Sequence, residues 1–175
     1  MALTLLLGGA RSGKSALALR RASAFQGEVA FIATAEDRDE EMGARIERHR
    51  RERPERWRTV EAPLDLAAAL ATCPERSCVV VDCLSLWVAN LLERGDGEDA
   101  IVRQADAVAS LAAGRPGLTI AVSNEVGMGI VPANELARRY RDALGRVNAI
   151  WADFAAEALL VVAGRSLALQ DAYES

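Results

Sequence analysis

Apolar residues in this chain gather into short, nearly continuous runs: Leu3–Leu7, Val29–Ala33, Cys78–Val81, Leu118–Val122 and Leu159–Ala163. Such runs, without polar alternation, predict strands covered on both faces. Between them the apolar positions recur with helical spacing, roughly over 15–24, 36–53, 64–72, 84–94, 98–113 and 134–157. Strand and helix alternating in this way predict an α/β fold, a mainly parallel sheet with helices on both faces. In such sheets ligands bind beyond the carboxyl ends of the strands. The positions to examine are therefore Gly8–Ser15, Thr34–Ala35, Asp82–Cys83 and Ser123–Gly129.

Composition narrows the class. With 175 residues, 51% hydrophobic and 26% charged, residues 1–175 are expected to form a single domain with a real core. A net charge of −4 argues against non-specific wrapping of nucleic acid. Cys73, Cys78 and Cys83 lack C-x-x-C spacing and read as small core residues in a reducing compartment. No apolar run reaches membrane length, and the first strand begins too early to leave room for a signal peptide. A soluble cytoplasmic protein is expected.

The first strand runs into Gly8-Gly9-Ala10-Arg11-Ser12-Gly13-Lys14-Ser15, which fits G-x-x-x-x-G-K-[ST] between strand and helix. Lys14 is the only lysine of the chain; every other basic side chain is arginine. A slim ammonium can lie along a phosphate chain where a planar guanidinium fits poorly. The loop's backbone N–H groups and the start of the next helix would hold phosphate. Ser15 would offer its hydroxyl to Mg²⁺. Asp82, at the tip of Val79-Val80-Val81, can hold Mg²⁺ or its water, cap the following helix, or do both.

A second charged region spans Glu36 to Arg58. Five carboxylates open it (Glu36, Asp37, Asp39, Glu40 and Glu41), and seven arginines close it (Arg45, Arg48, Arg50, Arg51, Arg53, Arg56 and Arg58). Acid first and base last suits a helix macrodipole, but seven arginines exceed that need. The sole histidine, His49, lies among them, one helical turn from Arg45 and Arg53. Surrounding positive charge should keep its imidazole neutral near pH 7, available as nucleophile or base. Further on, Asn124–Pro132 is a long connection with glycines beside apolar residues, where backbone can approach a ligand or another chain.

Three readings compete. A regulatory GTPase needs Asn-Lys-x-Asp, which a chain with one lysine at position 14 cannot contain. An ATP-binding DNA-associated module conflicts with the acidic balance. The residues by themselves support a P-loop enzyme acting on a small molecule, a kinase with an unexplained histidine.

The ordered motifs go further. Beside Gly8–Ser15 stand Ile32-Ala33-Thr34-Ala35, then Glu41-Met42 with Arg45-Ile46 and His49, then Trp57-Arg58-Thr59 with Glu61. Val81-Asp82-Cys83-Leu84 with Leu86-Trp87, Ser123–Gly127 with Gly129–Pro132, Leu136-Ala137-Arg138, and Arg141-Asp142 with Gly145 and Asn148 follow. Together they resemble the bifunctional adenosylcobinamide kinase / adenosylcobinamide-phosphate guanylyltransferase family of cobalamin biosynthesis. The resemblance implies a cytoplasmic homotrimer with a P-loop NTPase-like fold that uses ATP, GTP and Mg²⁺. It implies phosphorylation of adenosylcobinamide, then GMP transfer from GTP through a covalent histidine–GMP, with His49 and Lys14 as catalytic residues. Beyond residues 8–15, the implied nucleotide site uses Ala33, Thr34, Ala35, Arg50, Arg51, Glu52, Arg53, Glu61 and Asp82. Either Glu61 or Asp82 has the chemistry to accept from guanine. Some members carry a second histidine where this chain has Arg48. The residues do not mark out the corrinoid pocket; Trp57, Trp87 and the Asn124–Pro132 loop are the places to look for it. The alternative is a monofunctional P-loop kinase in which His49 is structural.

Overall fold

The computed structural model describes residues 3–36, 40–51 and 53–171, without the side chains of Glu41, Met42, Arg45, Arg48 and His49. Strands β1 (Leu3–Gly8), β2 (Val29–Ala33), β3 (Arg58–Glu61), β4 (Cys78–Asp82), β5 (Thr119–Asn124), β6 (Glu157–Val162) and β7 (Arg165–Leu169) form one sheet. Its order is β3-β2-β4-β5-β1-β6-β7, parallel throughout except for the β6–β7 hairpin. Six helices connect them: α1 (Lys14–Ser23), α2 (Glu40–Arg51), α3 (Leu66–Ala71), α4 (Leu84–Arg94), α5 (Glu98–Gly114) and α6 (Glu135–Phe154).

Alternate side chains of each central strand enter cores on opposite faces, so both sets must be apolar. Leu3, Leu5, Leu7, Val79, Val81 and Ala121 join α3 to α6 on one face. Leu6, Cys78, Val80, Ile120 and Val122 join α1 on the other. This arrangement explains the continuous runs in the sequence. All three cysteines are free and buried, as expected of core residues.

Two strands escape the apolar-run criterion. β3 is a four-residue edge strand with mostly exposed side chains, Arg58-Thr59-Val60-Glu61. β7 is exposed along its whole length and pairs only with β6. An edge strand with one face in water need not be apolar, so hydropathy does not reveal it. Two predicted helices are also too long. The fourth turn of the 36–53 prediction fails before Pro54, and α2 ends at Arg51. α6 stops at Phe154, releasing Glu157 and Ala158 to pair with β1.

The topology sets where chemistry can occur. The chain leaves β1 and re-enters the sheet at β2, beyond β5 and β4. The loop after β1 and the ends of β2, β3 and β4 thus open at the same edge of the sheet, as ligand sites in doubly wound folds do.

Candidate active site

Glycine makes the loop after β1 possible. A Cβ at Gly8 would lie 2.3 Å from the carbonyl oxygen of Val161 and 2.7 Å from Ser12 Oγ. At Gly13, φ is +100° and a Cβ would come within 3.2 Å of Gly164 Cα. The β6–β7 turn therefore presses on the loop, and the Gly164 N–H donates to Ser12 O at 2.8 Å. Gly9, Ala10 and Arg11 face solvent, and Ser15 is half-buried in the first turn of α1. Lys14 is 8% exposed, its ammonium donating to Gly9 O at 2.9 Å. Ser12 Oγ is buried and has no hydrogen-bond partner among the described residues. The loop curls around its own lysine and presents backbone to any incoming phosphate.

A cavity of about 330 Å³ opens beyond β2, β3 and β4. Phe31 and Ala33 from β2, Thr59 and Glu61 from β3, and Asp82 from β4 line it, with Ala35 just past β2. The β2–β3 register pairs Phe31 with Thr59 and Ala33 with Glu61, which puts all four on one face. Gly43, Ile46, Glu47 and Arg50 of α2 close the opposite wall with i, i+3, i+4, i+7 spacing. Arg53 completes the lining.

Arg53 is held closely. Its guanidinium carbon lies 4.1 Å from the centroid of the Phe31 ring, and Nη1 donates to Thr59 Oγ1 at 3.3 Å. Burial pushes its pKa down, and neighbouring Arg50 adds to that, while Asp82 and Glu61 oppose it. Arg50 donates to Glu61 Oε1 at 3.0 Å, tying α2 to β3 across the cavity mouth. Arg50 and Arg53 thus stand at this cavity together with the carboxylates of Glu47, Glu61 and Asp82, a setting that suits a nucleotide with its phosphates and polar base edge.

The residues singled out in the sequence divide accordingly. Ala33, Ala35, Arg50, Arg53, Glu61 and Asp82 meet at this cavity. Thr34 does not reach it: its buried hydroxyl donates to Cys83 O and accepts from Cys83 N–H, both at 2.8 Å. Thr34 joins β2 to β4 structurally. Arg51 is exposed and pairs with Glu47 rather than lining the cavity. His49 has its backbone in α2, one residue before Arg50, but its imidazole lies outside the described residues, as does Glu52. Trp57 and Trp87 are 6% and 1% exposed, and Trp87 Nε1 donates to Leu64 O. Both belong to the core, so the expectation of a corrinoid on either is corrected.

Five residues of the lining had no place in the sequence reading of the site: Phe31, Gly43, Ile46, Glu47 and Thr59. Phe31 reads as one more apolar position of a strand. Thr59 becomes visible only once β3 is known to pair with β2, although the β-branched Thr59-Val60 pair offers a weak strand signal.

A family model described as cobinamide kinase / cobinamide phosphate guanyltransferase matches residues 4–169. The chain belongs to this family. It is 45% identical over 172 residues to the bifunctional adenosylcobalamin biosynthesis protein CobP of Pseudomonas aeruginosa PAO1, covering 95% of this chain and 96% of the relative. It is 42% identical over 176 residues to the bifunctional adenosylcobalamin biosynthesis protein CobU of Escherichia coli K12, covering 91% and 95%. The fold is also that of a solved type III secretion system ATPase, with a TM-score of 0.60 at 10% identity over 95% of this chain. This chain spans 56% of that ATPase's length. As a member of the cobinamide kinase / guanyltransferase family with a P-loop NTPase-like fold, the protein is a nucleotide-using bifunctional transferase. No described helix is long and apolar enough to cross a membrane.

Proposed function

We propose that this cobinamide kinase and cobinamide phosphate guanylyltransferase performs two transfers in one nucleotide-binding domain, residues 1–175, and in the second carries GMP from GTP to the acceptor on His49. In the first, ATP or GTP lies with its phosphates in Gly8–Ser15. The aminopropanol hydroxyl oxygen of adenosylcobinamide attacks the γ-phosphorus, the bond to the nucleoside diphosphate breaks, and the hydroxyl proton leaves to solvent. Such a transfer needs positioning and charge neutralisation more than covalent help, and Lys14 with the loop amides supplies both.

In the second, a neutral nitrogen of His49 attacks the α-phosphorus of GTP and pyrophosphate departs. A phosphate oxygen of adenosylcobinamide phosphate then attacks the same phosphorus, frees the imidazole and gives adenosylcobinamide-GDP. Two displacements replace one difficult step. Arg50 and Arg53 would hold the phosphates, while Glu61 or Asp82 accepts from the guanine N1–H and 2-amino group. The observation that carries this reading is the cavity itself: it gathers Arg50, Arg53, Glu61 and Asp82 against the helix on which His49 precedes Arg50.

Mg²⁺ suits the donors present. Among the described residues no cluster of three or more His, Cys, Asp or Glu could hold a metal unaided. A hydroxyl and a carboxylate, Ser15 and Asp82, are instead the sparse oxygen set that Mg²⁺ uses together with substrate phosphates. Bound there, it would neutralise charge on the triphosphate. We further propose a cytoplasmic enzyme that works as a homotrimer, on the strength of the family resemblance.

GTP labelled at the α-phosphate tests the covalent step. The wild type takes up label that is acid-labile and base-stable, as P–N bonds are. His49→Asn takes up none and makes no GDP product, yet still phosphorylates adenosylcobinamide. Transfer of GMP by that variant would leave His49 a structural residue of a kinase.

A further inference from the structure

We propose that Glu125–Pro132 forms the platform for the corrin ring of the acceptor, a proposal that rests on cobinamide being the family's substrate. The acceptor hydroxyl must reach the γ-phosphate, so its macrocycle must rest beside the phosphate loop. β5 pairs with β1 along its full length, from Leu3 with Thr119 to Gly8 with Asn124. The segment after β5 therefore leaves the sheet abreast of the loop, and the Glu125 N–H donates to Gly8 O at 3.1 Å. The cavity holding Glu61 and Asp82 lies farther along the same side of β1, beyond β5 at the ends of β4, β2 and β3.

Chemistry agrees with placement. Met128 is 78% exposed, Ile130 97% and Val131 62%, three alkyl side chains standing in solvent on one short segment. They are not there through fraying. The Glu125 carboxylate accepts from the Gly127 N–H, and Arg138 Nη1 donates to Pro132 O at 2.9 Å and to Ala133 O. Anchored apolar side chains facing water mark a binding surface. A corrin ring offers broad methyl-studded faces and a rim of amides. Alkyl side chains suit the faces, and loop backbone with glycines at 127 and 129 suits the rim. A shallow apolar groove of about 290 Å³, containing Leu92, Leu136 and Tyr140, lies between α4 and the start of α6, which follows the segment at Asn134. The two tryptophans that could have stacked on the ring are buried elsewhere.

Ile130→Ser and Met128→Ser test the assignment, since both side chains are exposed and contribute little to the core. Steady-state kinetics of the kinase reaction, with cobinamide and nucleotide varied separately, are compared with native mass by analytical ultracentrifugation. Loss of one buried alkyl contact should raise the KM for cobinamide about tenfold per substitution, with the nucleotide KM and the native mass unmoved. An unmoved cobinamide KM would overturn the proposal. Equal rises in both KM values would make the segment part of the nucleotide cradle, and a fall in native mass would make it a subunit interface; either result also overturns it. Failure of the family reading is separable, because the wild type would then phosphorylate no cobinamide at all.

Discussion

Around the loop after β1, shape is enforced by backbone: Gly8 and Gly13 accept neighbours that no side chain would permit, and Lys14 is almost enclosed. At the cavity beyond β2 and β3, shape is enforced by charge, with Arg50 on Glu61 and Arg53 between Phe31 and Thr59. The first arrangement is rigid before any ligand arrives, because moving it means moving strands. The second is closed at its mouth by a partly exposed ion pair, Arg50 with Glu61, worth about 0.2–1 kcal/mol, which a nucleotide can rearrange at small cost. The proposed reading uses both ends, the loop and Lys14 at the first for the triphosphate, and Arg50 and Arg53 with Glu61 or Asp82 at the second for phosphate charge and base.

The largest expected effect removes the enclosed cation at the rigid end, Lys14. Lys14→Ala should depress phosphorylation and GMP transfer together, on the order of a thousandfold. Circular dichroism and thermal melting should show a folded protein, since the ammonium's hydrogen bond to Gly9 O ties a solvent-facing loop rather than the core. Retention of either activity near the wild-type rate would break the idea of one shared phosphate cradle.

Next comes the charge-built end. Glu61→Gln and Asp82→Asn should each be assayed for kcat/KM with GTP and with ATP. The residue that reads guanine loses a charged hydrogen bond of about 1.5–3 kcal/mol, lowering GTP preference about ten- to a hundredfold. Equal losses for the two nucleotides would mark a metal or structural role for that residue.

A smaller change probes how Arg53 is aimed. Phe31→Leu keeps an apolar strand residue but removes the ring under the guanidinium, a contact of about 0.5–2 kcal/mol. The KM for GTP should rise severalfold, with kcat nearly constant and the same shift in Thr59→Val. A drop in kcat alone would show that Arg53 needs no such support.

The least effect is expected at the β1–β6 seam. Arg21 donates to the Glu157 carboxylate and holds its pKa below the ordinary 4.5. A carboxylate depressed in the folded state stabilises above its unfolded pKa and loses that contribution as pH falls through the folded one. Glu157→Gln should therefore cost at most about 1 kcal/mol at pH 7, since both partners are partly exposed. The gap in melting should close below pH 4.5. A gap that persists in acid would mean packing rather than charge joins α1 to β6.

What could be foreseen and what could not follows from the same division. Five strands were legible because a strand buried on both faces has no polar alternation, as Leu3–Leu7 and Val79–Val81 show. The phosphate loop was legible because its chemistry lies within eight consecutive residues. Along one segment, sequence spacing is spatial spacing. β3 and β7 were not legible, since an edge strand draws its stability from a neighbour rather than from its own burial. Trp57 and Trp87 misled because an aromatic side chain reads alike in a core and in a pocket.

The amino-acid sequence by itself determined the class of fold, the triphosphate loop and the short set of charged residues from which the rest of the site is drawn. Only the tertiary structure decided which of those residues meet. Arg50 and Arg53 face Glu61 and Asp82 because β3 pairs with β2 in one register and α2 packs over both. Thr34 turns inward to Cys83 because β2 and β4 are neighbours, although the two residues stand 49 apart in the chain. Register and strand order are relations between distant segments, set by which surfaces can be buried together, and no local pattern encodes them.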